Sequence, residues 1–186
     1  MHLPPSPCAK EITLINDMRL AWEQHVYWTR MLLISIAARL EDEPHVTTRL
    51  LQNPEDIATI FKRYYPEEIG KTIADLLTEH LVIGAKLITA LRDKQTAQAS
   101  ELNRQWYINA HKMADAFCGF NPCYHCDTLR NMFYTHLDLT TREVAARLAG
   151  DYLADIAAFD KVEKEALDMA DYFTAGLMRA FPKAFS

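Results

Sequence analysis

Residues 21–31, AWEQHVYWTRM, place His25 between Trp22 and Trp28 in a segment whose apolar residues recur at spacings of three and four. This periodicity is typical of one face of an α-helix, and it predicts a helix over residues 11–41. His25 falls on the apolar face of that helix. A buried imidazole without a polar partner costs a few kcal/mol, so its position indicates a hydrogen bond, a buried ion or a bound ligand.

The same spacing of apolar residues continues along almost the whole chain, and no segment alternates with period two over the length of a strand. The sequence therefore predicts an all-α fold, an up-and-down bundle of four to five long helices plus short connecting helices. After the first, the long helices are predicted over residues 66–92, 96–118, 127–149 and 152–181. A capping-box pattern at Thr140 predicts a bend or restart in the fourth of them.

A short connecting helix is predicted from the segment QNPED, residues 52–56. Asn53 is expected to cap this helix with its side chain, and Pro54 fits the first helical position. Glu55 and Asp56 suit the positive end of the helix dipole.

The chain has 186 residues, of which 49% are hydrophobic, so it is long enough for one domain to bury a core and too short for two. We therefore predict one domain over residues 1–186, with a flexible N-terminal tail over residues 1–10. No strict repeat of roughly 20 to 50 residues, the signature of a solenoid, is visible.

The charge pattern restricts the expected partners. The chain carries 20 basic and 25 acidic residues, a net charge of −5, and its basic residues are scattered. Nucleic acid is therefore not expected as a partner. Because we find neither a secretory signal nor an apolar stretch of roughly 20 residues, we expect no membrane partner and a cytoplasmic location. The expected partners are a metal ion or small ligand and a second copy of the chain.

Two further histidines share the position of His25. His80 and His136 each fall near the middle of the apolar face of a predicted long helix, and Asn109 has the matching place on another. The surrounding segments are similar: WEQHVYW, LTEHLVI and FYTHLDL. Because the mid-points of antiparallel neighbours meet at one level of a bundle, we expect these side chains to converge in an apolar interior.

Three imidazoles at one level predict a metal site. Imidazole is a common ligand of transition metals, and three protein ligands leave an open coordination position of the kind that catalytic sites keep. We predict that His25, His80 and His136 bind a transition metal ion (zinc, iron, copper or manganese). Asn109 and a carboxylate or water are predicted to complete the shell.

Other side chains are expected around this site. Trp22 and Trp28, three residues either side of His25, are predicted to exclude water from it. Carboxylates could join or orient the histidines, and the candidates are Glu23, Asp75, Glu79, Asp138, Glu143 and Asp155. Of these, Glu79 and Asp138 do not point with the neighbouring histidine, and they suit an outer layer of the site or the bundle surface.

Two interpretations of the histidines stay open. In the first, the protein is a metal-binding bundle and a candidate metal-dependent oxidoreductase or hydrolase, since metal activation of water or oxygen is the natural reaction class. In the second, the histidines are core residues bonded to backbone carbonyls or to Tyr27, Tyr107 and Tyr134, and the protein is a non-catalytic scaffold or regulatory bundle. An anion or organic ligand is also compatible with the histidines.

The loop CGFNPCYHC contains a second candidate ligand set: Cys118, Cys123, His125 and Cys126. A CxxC pair with an earlier cysteine is compatible with zinc, but the second pair of a typical zinc motif is missing. The preferred interpretation is that Cys118 is a buried helix-end residue and that Cys123 and Cys126 are free thiols.

A family resemblance rests on segments spread over nearly the whole chain: LAWEQHVYWTRMLL, LLTEHLVIGAKLI, NPCY, HLDLTTREVAARLAGDY, MADYF and GLMRAFP. The chain resembles a family of small helical bacterial proteins, mostly from Gram-positive genomes, some of which carry the label acetylglutamate kinase. That kinase fold is an α/β sandwich with glycine-rich phosphate loops, whereas this chain has five glycines and no predicted strand. The kinase activity is therefore not transferred to it.

More loosely, a tryptophan and an acid near a helix-centre histidine are similar to the pattern of ferritin-like and hemerythrin-like metal-binding bundles. This chain has neither the ExxH pair of ferritin-like di-iron sites nor the HxxxH pair of hemerythrins. The resemblance therefore implies a metal-binding bundle, and a site with one ion rather than two.

Overall fold

The computed structural model describes residues 8–186, and within that range the chain folds into seven α-helices without a β-strand. The helices are α1 (Ala9–Ala38), α2 (Glu43–Leu50), α3 (Asn53–Lys62), α4 (Glu67–Arg92), α5 (Thr96–Phe120), α6 (Cys126–Ala149) and α7 (Tyr152–Ala180). A 3-10 helix, Pro182–Ala184, follows α7. The all-α prediction is confirmed, with five long helices and two short ones.

Two local predictions about helix starts are wrong. Helix α6 runs without a break through Thr140, because Leu137, Thr140 and Val144 continue one buried face of the helix. The side chain of Asn53 does not cap α3, because Asn53 is the first residue of that helix and is fully buried against α1. Its polar groups bond to α1 and not to the α3 backbone.

The N-terminal end of α1 begins earlier than predicted. A Glu11 carboxylate oxygen accepts the backbone N–H of Cys8 at 2.7 Å, and the helix starts at Ala9. Ala9 and Lys10, which the sequence assigns to a flexible tail over residues 1–10, belong to α1, and residues 1–7 lie outside the described range.

Six of the helices form a closed ring of three helical hairpins. The hairpins are α1 with α3, α4 with α5, and α6 with α7, and α2 lies in the connection of the first. Each hairpin packs on the next, because α3 contacts α4, α5 contacts α6, and α7 contacts α1. The ring therefore has an approximate threefold axis through its centre.

The sequences of the three hairpins repeat at an interval of about 56 residues. The first helix of each hairpin carries one histidine, and these are His25, His80 and His136, at intervals of 55 and 56 residues. In the second helices, a buried alanine stands three residues before a buried phenylalanine: Ala58 and Phe61, Ala114 and Phe117, Ala170 and Phe173. The repeat is longer than the roughly 20 to 50 residues of solenoids, and three copies close into a ring instead of stacking.

Equivalent residues of the three hairpins meet on the axis in layers. The rings of Phe61, Phe117 and Phe173, the phenylalanine layer, have centroids 4.6 to 5.8 Å apart, and none of these residues is more than 2% exposed. Trp22 stacks on Phe173 at 5.4 Å and lies 5.7 Å from the ring of His25. The histidines therefore lie next to the phenylalanine layer, which fills the axis on one side of them.

Three apolar residues whose helical spacing predicts an inward position, Leu40, Leu91 and Ile156, lie at the surface. Leu40 follows the end of α1 and is 44% exposed, and Ile156 in α7 is 52% exposed. Near Ile156 the inward position is taken by Asp155, which is fully buried beside Arg30. None of the helices within residues 8–186 has a segment long and apolar enough to cross a lipid bilayer.

Candidate metal centre

His25, His80 and His136 meet on the threefold axis. Their ring centroids lie 5.8 to 6.4 Å apart, and none of the three residues is more than 5% exposed. One ring nitrogen of each lies within 4.8 Å of one ring nitrogen of each of the others. The structure therefore brings the three predicted histidines to one buried point, where they could hold a metal ion.

Two of the rings are oriented by asparagines of the neighbouring helix. The Nδ1 atoms of His25 and His80 lie 2.9 and 3.0 Å from the Oδ1 atoms of Asn53 and Asn109. Each asparagine Nδ2 donates to the backbone carbonyl four residues before its histidine, at 2.8 and 3.1 Å. Because a backbone carbonyl only accepts, these bonds turn the amide oxygen toward the histidine. Nδ1 therefore carries the proton, and Nε2 keeps its lone pair.

The third ring, that of His136, is held by a carboxylate. Its Nδ1 lies 2.9 Å from Oε2 of Glu165, whose side chain is 11% exposed. A carboxylate oxygen of Glu165 accepts a hydrogen bond from Nδ1–H, so Nε2 is again the nitrogen that could bind a metal ion. Oε1 of Glu165 is buried and has no hydrogen-bond partner within residues 8–186. A carboxylate thus lies directly behind His136, whereas neutral amides lie behind the other two histidines.

Lone pairs on the inward nitrogens of His25 and His80 favour a cation between the three rings. Burial, with a smaller contribution from His136, lowers the pKa of His25 to about 4. Burial and the two neighbouring histidines also hold the pKa of His80 well below 6.5. Both rings are therefore neutral at pH 7, and neutral imidazole is the form that binds metals.

The spacing of the ring nitrogens fits a single ion after a small contraction. Three atoms at most 4.8 Å apart all lie within about 2.8 Å of one point, and imidazole nitrogens bind zinc at about 2.0 to 2.1 Å. Each nitrogen then moves inward by at most about 0.7 Å to reach the ion. Small rotations of the side chains are enough for that movement.

An apolar cavity of about 30 Å³, the axial cavity, adjoins the histidines on the side away from the phenylalanine layer. Thr29, Gly84 and Thr140, each four residues after a histidine, line it, and most of its other walls are aliphatic. Gly84 has no side chain where the other two hairpins have a threonine. The ring of Trp106 lies 3.4 Å from the position that a Cβ atom of residue 84 would take.

The three tryptophans have different positions relative to the histidines. Trp22 lies against the His25 ring on the side of the phenylalanine layer. Trp28, predicted to wall the site, packs instead under the guanidinium of Arg49 at 4.9 Å, because it turns away from the axis toward α2. Trp106 stacks on His80 at 5.1 Å and donates its Nε1–H to the carbonyl of His80 at 3.1 Å.

The position of Asn109 corrects its predicted role. Its side chain was expected to complete the metal shell, but its oxygen accepts from His80 and its amide group donates to a Glu79 carboxylate oxygen at 2.9 Å. Both polar atoms of the Asn109 amide therefore bond to residues of helix α4. Asn109 orients a ligand and is not itself one.

The carboxylates proposed from the sequence lie outside the group of possible ligands in the described part of the chain. Glu143 and Asp155 belong to a buried ion network, in which Arg30 donates to them at 2.6 and 2.9 Å and Arg147 donates to Asp155 at 3.2 Å. Burial raises the pKa of Glu143 to about 7. The remaining candidates are Glu23, Asp75, Glu79 and Asp138. Of these, only Glu79 bonds to a residue that orients a histidine, namely Asn109.

The cysteine loop does not form a metal site. Cys118 and Cys126 are joined in a disulfide, with their Cα atoms 5.4 Å apart, which removes two of the four predicted zinc ligands. The interpretation of Cys126 as a free thiol is also wrong, whereas Cys123 is free as predicted. The disulfide links the end of α5 to the start of α6, whose connection is short enough to place the two side chains together.

Sequence reasoning missed two residues that hold the histidines, Asn53 and Glu165. Asn53 was interpreted as a helix cap, and Glu165 lies in the charge run DKVEKEALD, which suggests a solvated face. The signal that finds them is the repeat, because Asn53, Asn109 and Glu165 follow one another at intervals of 56 residues.

Comparison with known protein families, with known proteins and with solved structures produced no match for this chain. The resemblances drawn from its sequence therefore stay predictions. Its function is inferred from the geometry and chemistry of the site.

Proposed function

We propose that this protein binds one transition metal ion through His25, His80 and His136. The main support is that all three rings are held from outside through Nδ1. The Nε2 atoms of the three rings then face one buried point, where the lone pairs of the neutral His25 and His80 favour a cation. A histidine that serves only core packing needs no such convergence, because its free nitrogen can face a hydrogen-bond donor.

Glu165 adds electrostatic support to this proposal. A carboxylate bonded to the outer nitrogen of a histidine ligand makes that ligand more basic and fixes its orientation. The charge of Glu165 also compensates part of the charge of a divalent ion. An anion would meet this carboxylate and three lone pairs, so a cation is the better occupant.

The class of reaction follows from the open side of the site. A metal ion with three imidazole ligands keeps a free coordination position, where it activates water or oxygen when bound. We propose that the protein is a metal-dependent oxidoreductase or hydrolase. The chain binds and orients the ion through the histidines, and Trp22 and the phenylalanine layer exclude water from one side.

Metal analysis of protein purified without a His tag or chelator tests the proposal. We expect about one ion per chain in the wild type, and none in a variant that combines His25→Ala, His80→Ala and His136→Ala. His45→Ala, at an exposed histidine in α2, is the matched control and should keep its metal. Circular dichroism verifies that each variant is helical.

The proposal fails if the folded wild type takes up none of iron, zinc, copper or manganese after reconstitution. The histidines would then be core residues, in agreement with the scaffold or regulatory bundle that the sequence leaves open. Metal that persists in the triple variant would place the ion elsewhere in the chain.

The carboxylate behind His136 gives a second prediction. Glu165→Gln keeps an acceptor for Nδ1 and removes the charge, so the metal dissociation constant should rise by about 10- to 100-fold. Isothermal titration with a competing chelator measures this constant. Glu163→Gln, the same change at a surface residue that bonds Tyr27, should leave it unchanged. Equal constants for Glu165→Gln and the wild type would show that the charge of Glu165 does not act on the ion.

A further inference from the structure

The axial cavity indicates which ligand the metal takes, and this inference rests on the proposed function. We infer that the site binds an uncharged diatomic molecule, of the chemical class of nitric oxide and dioxygen, at the coordination position that faces the cavity. Size, polarity, a free hydrogen-bond donor and a route of entry support this ligand class.

The size of the cavity admits a ligand of about two heavy atoms. Its volume is about 30 Å³, and a single water molecule needs about 10 to 15 Å³ measured in this way. A diatomic molecule bound to the ion therefore fits without a change in the walls. A sugar, a nucleotide or an amino acid is too large to fit within the axial cavity itself.

The walls of the cavity favour an uncharged ligand. No charged side chain of residues 8–186 lines it, and aliphatic residues such as Leu81, Ile88 and Val144 make up most of its surface. An ion that enters would lose its hydration and find no counter-charge except the metal. A small neutral molecule has little hydration to lose.

One hydroxyl group in the cavity is free to donate a hydrogen bond. Thr140 is 4% exposed, and its Oγ1 is buried without a partner in the described part of the chain. The hydroxyl of Thr29, the equivalent residue of the first hairpin, is already used, because it donates to the carbonyl of His25 at 2.7 Å. The Thr140 hydroxyl is therefore available to donate to the outer atom of a bound diatomic ligand.

A route from the surface passes between apolar side chains. Leu87, Leu91 and Thr141 line both the axial cavity and an adjoining open cleft, which reaches the surface at Lys94 and Gln95. Leu91 is 37% exposed, so it lies at the mouth of this route. Leucines at a narrow entrance let small apolar molecules pass and hinder hydrated ions.

The test uses the full chain loaded with iron(II) under anaerobic conditions, with nitric oxide as the neutral probe and azide as the charged one. Metal content is measured on the same samples, so a failure of metal binding is distinguished from a failure of ligand binding. We expect electron paramagnetic resonance to show one nitric oxide per iron. Azide should bind at least about tenfold more weakly, because it must leave its hydration behind.

Three variants separate the cavity from the metal. Gly84→Val adds a bulky side chain at a residue that lines the axial cavity, next to the ring of Trp106, and should weaken nitric oxide binding at least about tenfold with iron content retained. Gly119→Val, at an exposed helical glycine with open space around it, is the matched control and should behave as the wild type. Thr140→Val keeps the shape and removes the hydroxyl, so nitric oxide should dissociate about three- to tenfold faster.

Iron-loaded protein that binds no nitric oxide would overturn the inference. Azide binding as tight as that of nitric oxide would overturn the neutral-ligand assignment. Unchanged nitric oxide binding in a Gly84→Val variant that retains iron would show that the ligand does not lie in the cavity. If Gly84→Val does not hold iron, Gly84→Ala decides the same point, because its added methyl group makes only ordinary contact, 3.4 Å, with the ring of Trp106.

Discussion

Saturation with the metal ion is expected to raise the free energy of unfolding by about 4 kcal/mol when the free metal concentration is about 1,000 times the dissociation constant. The unfolded chain scatters His25, His80 and His136 over more than a hundred residues, so it cannot form the site, and the whole binding energy stabilises the folded state. In a chain of this length the unfolding midpoint should rise by roughly 8 to 16 °C. Thermal unfolding followed by circular dichroism, with and without metal, measures the shift.

A matched pair of variants identifies the source of this stabilisation. His80→Ala should unfold at the same temperature with and without metal, whereas His45→Ala should show the full shift. The prediction is contradicted if the wild type binds one ion per chain without a change in its unfolding midpoint. The ion would then bind the unfolded chain as well as the folded one, and it would not need the converged histidines.

The histidines themselves could be predicted from the sequence because each lies on a long apolar face. Such a face predicts both a helix and the side that is buried, and His25, His80 and His136 interrupt it near the middle of their helices. Helix ends were predicted to within about three residues for the same reason, since prolines, glycines and acidic first turns mark them. The fold class and the three inward residues therefore follow from periodicity alone.

The residues that hold the histidines could not be predicted in this way. Asn53 stands before a proline at a helix start, where an asparagine usually caps the helix, and Glu165 stands among charged residues on a helix that is polar on its other faces. The periodicity of the apolar residues identifies the buried face of a helix. It does not identify which polar residue of a neighbouring helix contacts that face. The packing of one hairpin on the next decides that, and only the internal repeat carries this information in the sequence.

The three repeats differ at the positions around the histidines, so the site is not symmetric. Asparagine holds the ring in the first two hairpins, and glutamate holds it in the third. Threonine lines the axial cavity in the first and third hairpins, and glycine does so in the second. One hairpin thus supplies a carboxylate behind its histidine and another lacks the threonine that lines the axial cavity in the other two, while the three histidines stay equivalent.

Acid is expected to destabilise the metal-free protein because its buried histidines stay neutral when folded. The pKa of His25 is about 4 in the folded protein, against 6.5 as its ordinary value. Between these two values the unfolded chain binds a proton that the folded chain does not, so the stability is lost as the pH falls through this window. His25 alone should lower the free energy of unfolding by about 3 kcal/mol between pH 7 and pH 4, and His80 acts in the same direction.

Glu143 acts in the opposite direction and must be separated from this effect. Its pKa is raised to about 7, so the folded protein takes up a proton there as the pH falls and gains stability. A comparison of the metal-free wild type with His25→Gln cancels this contribution, because both proteins retain Glu143. Urea unfolding at pH 7 and pH 4 should show the variant losing about 3 kcal/mol less than the wild type. An equal loss in both proteins would mean that His25 takes up its proton at the same pH in the folded and the unfolded protein, and that its ring is not held in the neutral form on which the metal site depends.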